Sequence, residues 1–118
     1  MTDCSVYVGR LSDRRFKWDG GDWNGNVPRS ISPAFPPAQD HYNAAFHSWV
    51  RKTGVECKQT DFGGWVAKVT KAQIEDYVHF CYQGQEDLPW IAHNLPELRA
   101  WIATLKPDTI YALVATEF

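Results

Sequence analysis

At 118 residues the chain has room for one domain built on one core. Its 44% apolar and 22% charged residues exclude a disordered chain. The net charge of −2 divides into 7 basic and 5 acidic residues over 1–53, and 5 basic and 9 acidic over 54–118, an asymmetry too mild for a nucleic-acid-binding or anionic-membrane-binding face.

The cysteines, Cys4, Cys57 and Cys81, are an odd and widely spaced set. No cationic leader with an apolar stretch opens the sequence, and no apolar run approaches the roughly 18 residues of a membrane span. These features read as a cytoplasmic protein whose thiols are small buried hydrophobes.

In chain order, residues 4–10 (CSVYVGR) are β-branched and aromatic and predict a strand. A basic-aromatic cluster follows: Arg14, Arg15, Phe16, Lys17 and Trp18. Residues 18–39 then read WDGGDWNGNVPRSISPAFPPAQ, which holds four of the seven prolines and fits no regular element. The stretch also carries Trp18, Trp23, Ile31 and Phe35, which a solvated connection does not need. An irregular loop of this length inside a compact domain is usually functional.

Residues 40–53 predict a helix with an apolar stripe of Tyr42, Ala45, Phe46, Trp49 and Val50, closed by Gly54. Residues 55–69 predict a hairpin turning at Asp61-Phe62-Gly63-Gly64. Thr70-Lys71-Ala72-Gln73 is a capping box opening a second helix, whose stripe is Ile74, Tyr77, Val78 and Cys81, with Gly84 ending it. Residues 85–92 read as a connection. A third helix is expected from Asn94 with Pro96 in its first turn, carrying Leu98, Trp101, Ile102 and Leu105. Residues 110–118 are nearly continuous in apolar character and predict a strand inside the sheet.

The order β-α-β-β-α-α-β predicts a single α+β domain over 1–118. A four-stranded antiparallel sheet would carry helices on one face, with 18–39 as a long irregular loop. Counting the last two helices as one connection gives the ferredoxin-like split βαβ pattern.

No catalytic or metal signature stands out. His41, His47, His79 and His93 form no metal-ligand spacing with one another or with the cysteines. His79 and Cys81, two apart on a helix, point away from each other, and Glu75–His79 reads as a surface pair. Cys57 reads as a core-facing thiol without a base. The glycines at 20–25 lack the P-loop lysine, and Asp22 would repel a phosphate. Glu75-Asp76 and Glu86-Asp87 read as solvated surface. No cofactor is expected.

The interleaved arginines and aromatics of 14–35 suit a protein hot spot or single-stranded nucleic acid. The flanking Asp13, Asp19 and Asp22 favour a protein partner. The expectation is therefore a small protein–protein interaction module, of the character of bacterial or phage inhibitors and immunity proteins. Its binding residues would be Arg14, Arg15, Trp18, Trp23, Arg29 and Phe35. The alternatives are a small-molecule or nucleotide-handling protein with 18–39 as a lid beside His41 or His47, and a homodimer with no other ligand.

Overall fold

The computed structural model describes residues 4–11, 29–37, 44–59 and 64–117. The elements are β1 (Cys4–Arg10), α1 (Ala44–Thr53), β2 (Cys57–Gln59), β3 (Gly64–Val69), α2 (Lys71–Tyr82), α3 (Pro89–Ala103) and β4 (Tyr111–Glu117). The four strands form one sheet in the order β1-β4-β3-β2, and every neighbouring pair is antiparallel.

This order departs from the ferredoxin-like split. In that pattern one helix carries the chain from the third strand back past the sheet, so the fourth strand runs parallel to the third. Here two helices intervene. The Lys71 ammonium at the start of α2 donates to the Ala103 carbonyl at the end of α3 (3.2 Å), so the two helices run back on each other. The chain therefore re-enters the sheet at the end it left, and β4 lies antiparallel and adjacent to β3. Counting α2 and α3 as one connection misses this parity.

Strand side chains alternate between the two faces of the sheet. Val8, Ala67, Val69, Tyr111, Leu113 and Ala115 join the buried residues of the helices in the main core. Val66, Ala112 and Val114 face the other way, with Tyr7 and Leu11 beside them. Residues 111–116 are buried throughout, as expected of a strand with neighbours on both sides.

The second helix follows its sequence closely. The Gln73 amide donates to the Thr70 hydroxyl (3.3 Å), and the Thr70 amide donates to the Gln73 side-chain carbonyl (2.9 Å), completing the capping box. Ile74, Tyr77, Val78, Cys81 and Tyr82 are buried. Gly54 and Gly84 follow α1 and α2 with φ of 71° and 79°, a left-handed conformation that stops a helix at little cost only for glycine.

The third helix differs from expectation. It starts at Pro89, not at Asn94, because Pro89 at the first helical position already holds the helical φ and has no N–H to leave unpaired. Asn94 is inside the helix, where its side-chain amide donates to the Trp90 carbonyl four residues back (2.7 Å). Pro96 is likewise an interior residue, on the exposed side. Residues 40–43 and 60–63, which include Tyr42 and most of the expected turn, lie outside the described residues.

Three aromatic rings converge on Tyr77 of α2. Trp49 and Phe46 of α1 meet it edge-on at 5.3 and 6.2 Å between centroids, and Phe35 meets it tilted at 6.0 Å. Such pairs contribute about 0.5–1.5 kcal/mol each beyond their burial. The Trp49 indole N–H, carried into the core, donates to Asp76 Oδ2 (2.8 Å), so the polar atom of a buried ring is satisfied by a carboxylate at the surface.

Trp49 is fully buried, whereas Trp101 is only half-buried. Trp49→Ala is therefore expected to lower the free energy of unfolding by ~3–5 kcal/mol, and Trp101→Ala by clearly less. Urea unfolding of the two variants checks this; equal losses would contradict the placement of the two rings.

Candidate functional site

The described part of the irregular loop, residues 29–37, runs along the outer edge of β1. Ile31 N–H donates to the Val8 carbonyl (2.9 Å), Phe35 N–H donates to the Val6 carbonyl (3.3 Å), and Ser30 bridges to Gly9 in the antiparallel sense. The spacing is irregular, since four residues of the segment pass two of β1. Ser32 compensates. Its hydroxyl oxygen accepts the Val8 N–H (3.0 Å), replacing a backbone partner. The same hydroxyl donates to the Pro33 carbonyl (2.9 Å), and the Ser30 hydroxyl donates to the Ser32 carbonyl (2.9 Å).

The far end of the segment is fastened to the helices. Phe35 is 7% exposed and lies in the main core against Tyr77. The Tyr82 hydroxyl donates to the Pro36 carbonyl (2.6 Å), and the Trp90 indole N–H donates to the Pro37 carbonyl (2.7 Å). Proline carbonyls are the only hydrogen-bonding groups these residues offer, and both are taken. Burial pushes the Tyr82 hydroxyl far above the ordinary tyrosine range, with Cys81 beside it acting in the same direction. The hydroxyl therefore stays protonated and remains a donor. Trp90 keeps its ring 44% exposed while its N–H is engaged.

Of the residues expected to bind a partner, Arg29 is exposed at the start of this segment and Phe35 is enclosed in the core. Phe35 thus holds the segment in place and does not present its ring to solvent. Arg14, Arg15, Trp18 and Trp23 lie outside the described residues, as does His41. His47 is half-buried on α1, with its ring edge-on to Trp65 of β3 at 4.5 Å.

Three contributors to this region are absent from the residues singled out in the sequence. Ser32, Tyr82 and Trp90 act through backbone groups 24, 46 and 53 residues away in sequence. Tyr82 does extend the buried stripe of α2 by one turn beyond Val78, a signal the helical period carries. No comparable pattern marks Ser32 or Trp90.

A separate cleft of about 320 Å³ lies between α2 and α3, lined by Glu75, Val78, His79, Arg99 and Ile102. Glu75 and His79 both line it, and no ion pair joins them among the described residues. Asp76, expected to be solvated surface, is exposed and also receives the Trp49 indole N–H. Among the described residues no group of three or more His, Cys, Asp or Glu could hold a metal ion, and no helix is long and apolar enough to cross a membrane.

Cys57 and Cys81 are free thiols. Cys57 is half-buried at the start of β2 and packs against the main core. Burial pushes its pKa up from 9.0 to about 11. No family model, curated protein or solved structure matches the chain.

Because the thiolate is the reactive form, a pKa near 11 lowers the Cys57 thiolate fraction at pH 8 by on the order of a hundredfold against an unperturbed thiol. Alkylation of Cys57 by iodoacetamide, followed by peptide mass mapping, should be correspondingly slow at pH 8 and accelerate as pH rises toward 11. A rate at pH 8 like that of an exposed cysteine would contradict the burial of this thiol.

Proposed function

We propose that this chain is a protein-binding module, of the inhibitor or immunity-protein kind, that recognises its partner through the aromatic and basic segment 14–35. The observation that carries this reading is the mounting of the segment's C-terminal end. Residues 29–37 are tied to β1 by backbone and serine hydrogen bonds, and to α2 and α3 by Phe35, Tyr82 and Trp90. Binding residues on a loop held by a rigid scaffold lose less conformational freedom when a partner docks.

Within this reading Arg29 contacts the partner directly, together with Arg14, Arg15, Trp18 and Trp23, and Phe35 serves as the internal anchor. Tryptophan and arginine are the residues most enriched at binding hot spots. A reducing compartment, the cytoplasm, suits the free Cys57 and Cys81.

Affinity capture from host lysate, read by mass spectrometry, tests the proposal. The wild-type chain should retain a specific partner that Trp18→Ala/Trp23→Ala loses, with Arg29→Ala weakening retention roughly tenfold, the ~1.4 kcal/mol of a modest hot spot. Equal retention by the double variant, or no specific partner for the wild type, contradicts it.

A further inference from the structure

Residues 29–37 bring a second arginine beside the end of β1. Ser30 bridges to Gly9 in the antiparallel sense, and the Ile31 N–H reaches the Val8 carbonyl in the same register. One step along that register sets Arg29 opposite Arg10, on the face of the sheet that carries Val8. Directly opposite residues have Cβ atoms about 5 Å apart, and like charges at such positions repel. Both arginines are exposed.

No acidic group relieves the pair. Among the described residues neither guanidinium has an ion pair or a hydrogen bond. Across the sheet Arg10 is matched to Tyr111, not to an acid. Asp108, three residues before Tyr111, makes no ion pair with either arginine. Lys68, at the same end of the sheet on the other face, has the Glu56 carboxylate at 3.2 Å. The chain thus neutralises a neighbouring cation and leaves these two facing each other. A local arrangement that costs stability and makes no contact inside the fold is characteristic of a functional surface.

We infer that Arg10 and Arg29 form a carboxylate clamp, and that the protein partner of this chain presents an acidic surface to it. The inference rests on the protein-binding reading above and names the chemistry of that partner. A guanidinium holds a carboxylate through two parallel N–H donors, so two guanidinia side by side grip one carboxylate between them or two adjacent ones. The incoming negative charge also removes the repulsion present in the free chain. Arg29 belongs to the segment 14–35, and Arg10 stands four residues before Arg14, so the clamp is continuous in sequence with the proposed contact residues. A nucleic acid is the poorer fit, because tracking a phosphate backbone needs a wider basic face, and Asp13, Asp19 and Asp22 interrupt this one in sequence.

Fluorescence anisotropy of a labelled pentaglutamate peptide, titrated with the purified chain at low ionic strength, tests this. The wild type should bind the peptide, and binding should fade as salt is added. Arg10→Gln and Arg29→Gln should each weaken it about tenfold, the loss of a modest hot spot, while Arg99→Gln on α3 leaves it unchanged. Both clamp variants should melt at or slightly above the wild-type temperature, since each removes a repulsion. No binding by the wild type up to about 1 mM overturns the inference, as does an equal loss in Arg99→Gln or a lower melting temperature for either clamp variant. Tighter binding of an oligothymidylate of equal charge overturns it too. Failure of the clamp is distinguishable from failure of the binding reading. A lysate partner still lost by Trp18→Ala/Trp23→Ala, with peptide binding indifferent to both clamp variants, strikes out the acidic chemistry alone.

Discussion

Residues 111–116 of β4 are buried on both faces of the sheet, and so many apolar groups cannot be enclosed on an outer strand. The constraint sends β4 to the interior of the sheet, between β1 and β3. From that position much else follows. β1 is displaced to the edge, where the outward-facing N–H and C=O groups of alternate residues, Val6 and Val8 among them, need a partner. β3 acquires β4 on one side, leaving its other side for the short β2. The paired helices between β3 and β4 deliver the chain back to the end of the sheet from which it left, as this position requires.

The second organising element is α2. Its Tyr77 ring meets Trp49 and Phe46 from α1 and Phe35 from the irregular segment. One ring thus couples three parts of the chain that are far apart in sequence. The segment along β1 is consequently part of the core and of the sheet edge together. Its prolines fit this place. They keep the backbone extended, they donate nothing that would go unpaired, and their carbonyls are matched to single donors from Tyr82 and Trp90.

Much of this architecture is legible in the sequence wherever one local rule decides the outcome. The capping box at Thr70–Gln73, the glycine stops at 54 and 84, the β1 run and the doubly apolar β4 are each set by a few adjacent residues. The start of α3 is misread because Asn94 is a good cap in isolation, while Pro89 five residues earlier already satisfies the geometry of a first turn. The sheet connectivity is misread because α2 and α3, each legible as a helix, are counted as one connection, which reverses the direction assigned to β4. Phe35 is the instructive residue at the candidate site. The sequence marks its ring as unusual in a proline-rich loop, and the excess of apolar character is real. That excess is spent on holding the loop down, since the ring lies in the core at 7% exposure.

The attachment of residues 29–37 to the edge of β1 can be measured directly by amide hydrogen exchange, resolved by residue, on the wild-type chain. The amides of Val8, Ile31 and Phe35, which donate to Ser32, Val8 and Val6, should exchange slowly, with protection approaching that of Leu113 in β4. Exchange of these three amides at the rate of an unstructured peptide, while Leu113 remains protected, would contradict the account.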